Sequence, residues 1–316
     1  MKPNLFLLGA AKSGTTALAS FLGEHPQIFL SVSKEPGWFA TDYRRGGGRG
    51  ETTLRSFEDY EALFAEADRI PGIRYALDAS TVYLKSDVAL EAILDYAPEA
   101  RILVILRDPV AMAQAFHMEA LFNLNEDVED FETAWRLQER RARGEAIPPG
   151  SAQPKRLQYR TVCAVGSQLE KVWAQVAPER RLVLFHEDFV ADAGALWKDL
   201  LRFLELDPAP DIDLSRRVGA AHFNRSRALA KVYRHPLITP LRHRATALLR
   251  RTGTLDMAKR ALARSAPRPA LAADFEADLR AEFLPEVEKF VALTGLALGH
   301  WKPLPEALPS PLPAAP

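Results

Sequence analysis

Five short runs of this 316-residue chain are apolar on consecutive positions, not alternate ones: residues 4–8, 27–31, 74–78, 101–106 and 181–185. Such continuity is what a strand buried on both faces requires, and strands of that kind belong to parallel sheets covered by helices. Helical periodicity separates the runs, at residues 16–24, 57–67, 87–97 and 166–176. The alternation predicts an α/β fold, a doubly wound parallel sheet of about five strands flanked by helices with right-handed crossovers. Ligands of these sheets bind beyond the carboxyl ends of the strands, which here are Leu8, Ser31, Asp78 and Leu106. One domain is expected over residues 1–301. It comprises a core at about 4–205, a basic helical segment at 225–268 and a closing helix at 273–294, which packs through Leu279, Phe283, Val287 and Phe290. The remainder, 302–316, has six prolines in fifteen residues and reads as a disordered tail. Residues 44–51, RRGGGRGE, read as a flexible glycine-rich loop.

The first strand leads into "NLFLLGAAKSGTTALASFL", residues 4–22, laid out as strand, tight loop and helix start. That is the layout of a phosphate-binding loop, so the fold is expected to be of the P-loop type. Gly9 and Gly14 keep the glycine spacing of G-x-x-x-x-G-K-[ST], but Thr15 follows Gly14 and the lysine comes earlier, at Lys12. Amides at a helix N-terminus attract anions, and the helix dipole adds to the attraction. Gly14 permits close approach, Thr15 and Thr16 bring hydroxyls, and Lys12 lies along the ligand instead of capping a γ-phosphate. A carboxylate for magnesium is poorly provided: "RILVILRDP" delivers Arg107 first and then Asp108, held by Pro109. A P-loop nucleotide kinase stays open as an alternative at this point.

The chain carries 41 basic and 41 acidic residues, unevenly distributed. Residues 225–268 hold 12 Lys/Arg against one acid, Asp256, leaving 29 basic and 40 acidic residues elsewhere. That segregation suggests an anionic partner: an acidic acceptor or peripheral contact with a membrane surface bearing a lipid acceptor. No nucleic-acid partner is expected. A single cysteine, Cys163, excludes an internal disulfide and suits a reducing compartment. No window is long and apolar enough to span a bilayer, and Lys12–Thr16 interrupts any leader-like run, so a cytoplasmic protein is expected. No H-E-x-x-H, Cys/His cluster or nucleophile elbow appears.

"AKSGTTAL" resembles the 5′-phosphosulfate loop of sulfotransferases that use 3′-phosphoadenosine-5′-phosphosulfate (PAPS), and "LRDPVAMAQAFH" resembles their 3′-phosphate motif. The closing "LRAEFLPEVEKFVALTGLALGHW" is similar to the last helix and Leu/Trp signature of the bacterial and heparan-type branch. The resemblance covers roughly residues 4–205 and 274–301. It implies metal-independent, in-line transfer of a sulfuryl group to a hydroxyl or amine of an acceptor: a glycan, a glycolipid or a small molecule. By the same resemblance Lys12 stabilises the leaving phosphate oxygen, Ser13, Gly14, Thr15 and Thr16 bind the 5′-phosphate, and Arg107 grips the 3′-phosphate. Glu35, in "SKEPGWFA", maps onto the branch's general base, with Lys34 beside it to orient it or meet an acidic acceptor. Asp78, Ser80 and Tyr83, in "LDASTVYL", map onto its substrate-side loop. Two positions depart from the pattern. The motif's serine is Ala115, a lost hydrogen bond worth about 1.5–3 kcal/mol that Arg225 and Arg227 could offset, and a frequent lysine is Ala79. These departures keep open a catalytically inactive nucleotide-binding relative. His117 is a rival base whose helical spacing favours packing, and His186 reads as structural.

Overall fold

The structure, a computed structural model, describes residues 1–31, 33, 35–43, 54–149, 151, 154–208, 212–216, 222–224, 263–265, 268–296 and 301. The chain divides into two compact units. Met1–Met112, Arg160–Gly219 and Ala272–Pro316 make the first; Ala113–Tyr159 and Ala220–Leu271 make the second.

In the first unit, β1 (Leu5–Gly9), β2 (Ile28–Leu30), β3 (Tyr75–Asp78), β4 (Arg101–Leu106) and β5 (Arg181–Phe185) form one sheet. Its order is β2-β3-β1-β4-β5 and every pairing is parallel. Helices α1 (Thr15–Leu22), α2 (Phe57–Ala62) and α3 (Ala89–Tyr96) fall between the early strands. The chain builds to one side of β1 with β2 and β3, then to the other with β4 and β5. Strand order therefore reverses between β1 and β4, and the carboxyl ends of those two strands mark the crevice where such a sheet takes ligands.

Both faces of β1 are covered, as its continuous apolar run requires. Leu5 and Leu7 pack with Leu18 and Leu22 of α1, and with Leu200 and Leu204 of a later helix. Phe6 turns the other way and meets Phe39 edge-on, ring centres 6.2 Å apart. After β4 come α4 (Pro109–Phe122), α5 (Phe131–Arg136), α6 (Gln138–Ala142), α7 (Tyr159–Val162) and α8 (Val165–Gln175). After β5 come α9 (His186–Ala191) and α10 (Ala193–Leu204). The closing helix α11 (Ala273–Thr294) buries Leu279, Phe283, Val287 and Phe290, the face that its sequence marks out. It lies so close on α8 that a methyl at Gly166 would stand 2.2 Å from the Glu286 carbonyl oxygen. Trp301 is buried against Phe185 and Phe290, at 6.1 and 5.9 Å between ring centres.

The second unit is organised by a buried ion pair. Arg141 donates to both oxygens of Glu126, at 2.6 and 2.8 Å, with both side chains fully buried, and the Tyr159 hydroxyl adds a bond of 2.6 Å. Burial pushes the Glu126 carboxyl up; the Arg141 and Tyr159 hydrogen bonds outweigh it and hold the group below its ordinary value. His117 packs into this core, its Nε2 2.9 Å from the Val128 carbonyl, and burial lowers its pKa.

Two expectations on regular structure change. The helix expected over 57–67 stops at Ala62 and gives way to a 3₁₀ turn at Ala65–Arg69. Within the basic segment read as helical, Ala263–Ser265 is instead a strand, β7, antiparallel to β6 (His222–Asn224). The antiparallel pairing His222↔Ser265, Phe223↔Arg264 and Asn224↔Ala263 satisfies backbone groups that a helix would have bonded internally. The rest of 225–268 except Arg268, with Arg225 and Arg227, lies outside the described residues, as do Lys34, the 302–316 tail and all of 44–51.

Candidate active site

The loop after β1 is pinned before it turns. Ala10 N donates to the Ile105 carbonyl of β4 at 2.7 Å, and Ser13 N to the Ala10 carbonyl at 3.3 Å. Lys12 (φ +67°) and Gly14 (φ +97°) both take left-handed backbone. For an L-residue such as Lys12 that conformation costs about 1–2 kcal/mol, so the surrounding structure must impose it. Gly14 is the cap residue of α1 and has no side chain to satisfy the first helical amides, and the first turn of α1 holds no acid. A methyl at Gly14 would lie 3.0 Å from His186 Nδ1. Ser13 is fully buried, and its Oγ has no hydrogen-bond partner among the described residues. An orphaned buried hydroxyl costs about 1–3 kcal/mol. An uncapped helix start, a side-chain-free cradle and a hydroxyl awaiting a partner together fit an oxyanion. Thr15 is buried in the same turn and Thr16 half-buried.

Arg107, at the end of β4, reaches this loop: its Nη1 donates to the Lys12 carbonyl at 3.3 Å. The neighbouring Asp108 is committed elsewhere. Its Oδ1 accepts from Val110 N and Ala111 N, at 2.8 and 3.1 Å, which caps the start of α4. Its Oδ2 accepts from Arg280 of α11 at 3.2 Å, and Arg280 also holds Glu276 at 2.8 Å. Asp108 N donates to Glu187 Oε1 at 3.1 Å, while Glu187 Oε2 accepts from Trp301 Nε1 at 3.4 Å. The closing helix and Trp301 thereby fix the residue next to Arg107. Sequence reading did not foresee Arg280 or Glu187, because both contacts join residues far apart along the chain. Among the described residues no group of three or more His, Cys, Asp or Glu is placed to hold a metal ion.

The loop after β2 packs on the turn after β3. Asp78 is fully buried and accepts three hydrogen bonds: from Ser80 Oγ (2.6 Å), Tyr60 OH (2.9 Å) and Tyr83 OH (2.9 Å). Burial pushes its carboxyl up to about 6; the hydroxyl donors pull the other way, and the charge of Glu35 adds to the rise. Ser80 Oγ in turn accepts from Gly37 N at 2.9 Å. Sequence reading sets Asp78, Ser80 and Tyr83 facing the acceptor. The structure buries all three and turns their polar atoms onto one another, since a carboxylate at a buried strand end needs internal donors. Glu35 stands above this cluster, half-buried, with left-handed backbone at φ +55°. Thr81, which no sequence signal singles out, donates to Glu35 Oε2 at 2.9 Å. The structure thus brings Lys12, Ser13, Gly14, Thr15 and Arg107 together in one corner. Ala115 is buried on α4.

Residues 3–165 match the profile of the sulfotransferase family. The chain is 32% identical over 108 residues to the membrane-associated sulfotransferase kil1 of Dictyostelium discoideum, covering 34% of this chain and 21% of that protein. It is 29% identical over 119 residues to the bifunctional heparan sulfate N-deacetylase/N-sulfotransferase 1 of Caenorhabditis elegans, covering 38% and 13%. The chain thus spans about a fifth or less of the length of these curated relatives. Among solved structures, a sulfotransferase from Alicyclobacillus acidocaldarius shares the fold with a TM-score of 0.68 and 24% identity, over 95% of this chain and 99% of that one.

Proposed function

The chain belongs to the sulfotransferase family, and from that premise we propose that it moves a sulfuryl group from PAPS to a hydroxyl or amine of an acceptor. The observation that carries the donor assignment is the corner at β1 and β4: the uncapped start of α1, Gly14, the orphaned Ser13 hydroxyl and Lys12 beside Arg107. Ser13, Gly14, Thr15 and Thr16 would hold the 5′-phosphate, and Arg107 the 3′-phosphate. Bound there, PAPS supplies an activated sulfuryl group on a good leaving phosphate. Lys12 places its ammonium where charge develops on the leaving oxygen, an electrostatic role of the oxyanion-hole kind. Glu35 takes the acceptor's proton as the new bond to sulfur forms. Asp108, spent on the α4 cap and on Arg280, favours a site that works without magnesium.

The acceptor is proposed as a glycan, a glycolipid or a small molecule, and the 12 Lys/Arg against one acid over residues 225–268 suit an anionic partner. The buried, lone Cys163 suits a cytoplasmic setting. Calorimetry with adenosine 3′,5′-bisphosphate against ATP plus Mg²⁺ tests the donor. Saturable binding of the first and none of the second is expected; the reverse returns the chain to the kinase reading.

A further inference from the structure

A base must hold its carboxylate in one orientation, and here the group that does so comes from another loop. We propose that Thr81 is the positioning residue for Glu35, its hydroxyl fixing and polarising the carboxylate that accepts the acceptor's proton. The inference rests on Glu35 as the base, as set out above.

The contact is Thr81 Oγ1 donating to Glu35 Oε2 at 2.9 Å, across 46 positions of sequence. Thr81 sits on a turn held from several directions. Tyr83 N donates to the Ser80 carbonyl at 3.1 Å and Leu84 N to the Leu8 carbonyl of β1 at 2.9 Å. Ser80 and Tyr83 are fastened to the buried Asp78. The Thr81 hydroxyl is therefore presented from a rigid support, which is what keeps a functional contact within a few tenths of an ångström. The Glu35 side needs that support. Its left-handed φ of +55° is unfavourable for a residue with a Cβ, and Gly37 N, two residues on, is tied to Ser80 Oγ of the same turn. Both loops thus meet on the Asp78 cluster, and Thr81 spans the last step to the carboxylate. A hydroxyl on Oε2 sets the direction in which Oε1 points. In the transfer, the acceptor's O–H or N–H bond breaks toward Glu35, the O–S or N–S bond forms, and the S–O bond to the leaving phosphate breaks.

The test uses the full chain labelled with ¹³C-carboxyl glutamate, the Glu35 resonance being assigned by its loss in Glu35→Gln. Thr81→Val removes the donor at constant volume, and Thr81→Ser keeps it. At neutral pH the Glu35 resonance is expected to move in Thr81→Val and to return in Thr81→Ser. Turnover of radiolabelled PAPS, with water as the acceptor, is expected to fall about tenfold in Thr81→Val, the loss of one hydrogen bond to a charged group. It should recover in Thr81→Ser and fall no further when Thr81→Val is added to Glu35→Gln, because two residues acting as one unit are not additive. An unmoved resonance overturns the contact. An equal fall in the Glu35→Gln background overturns action through Glu35. Wild-type turnover by Glu35→Gln sinks the base itself, and the positioning role with it, even where the resonance moves.

Discussion

Asp78 offers a stability experiment whose sign is unusual for a carboxylate. Its folded pKa, about 6, lies above the ordinary 3.8, because full burial outweighs three hydroxyl donors. The folded state therefore binds the proton more tightly than the unfolded chain, and stability falls as pH rises between those values. That rise corresponds to about 3 kcal/mol, of which about 2 kcal/mol develops between pH 4 and pH 7. Other carboxylates, such as Glu126, titrate in the opposite sense, so wild type alone cannot isolate the effect. Asp78→Asn keeps the shape and removes the titration. Urea unfolding of both proteins from pH 4 to 7 should show wild type losing about 2 kcal/mol relative to the variant. A difference that stays constant with pH refutes the burial argument, and with it the account of how the Ser80–Tyr83 turn is held.

Three further outcomes follow from packing. Gly14→Ala forces a methyl to within 3.0 Å of His186 at φ +97°, and calorimetry should find adenosine 3′,5′-bisphosphate binding weakened about tenfold or more, against unchanged binding if the cradle is unimportant. Gly166→Ala drives a methyl against the Glu286 carbonyl, so α8 and α11 must part at a cost of about 1–3 kcal/mol or more; an unshifted urea midpoint contradicts that. Arg141→Met leaves Glu126 buried without its charge partner and should cost about 3–5 kcal/mol, with Glu126→Gln/Arg141→Met recovering part of it; equal losses in both would contradict the pairing argument.

The parallel sheet was legible because burial on both faces writes itself into consecutive apolar residues. β4 and β5 have the expected bounds, 101–106 and 181–185. β1 runs one residue further than expected because Gly9 still pairs with Val104. α10 carries a readable helical signal in Leu196, Leu200, Leu201 and Leu204 at helical spacing, after Asp192, whose side chain accepts from Ala195 N. At the site, Lys12 and Gly14 could be read from the loop's spacing, since one short stretch supplies strand end, turn and helix start. Thr81, Arg280 and Glu187 could not. Their partners are 46, 172 and 79 residues away, and only the folded sheet makes them neighbours. Asp78 shows the same limit from the other side. A polar residue at a strand end reads alike whether it faces a ligand or is sealed beneath one.

Radiolabelled sulfuryl transfer from PAPS to a panel of glycans, glycolipids and small hydroxyl and amine compounds tests the central claim directly, run with wild type, Lys12→Ala and Glu35→Gln. The account predicts label on at least one acceptor with wild type in EDTA, and its near-complete loss in both variants with their folds intact. Labelling that persists in Lys12→Ala, or binding of adenosine 3′,5′-bisphosphate with no transfer to any acceptor or to water, would contradict it.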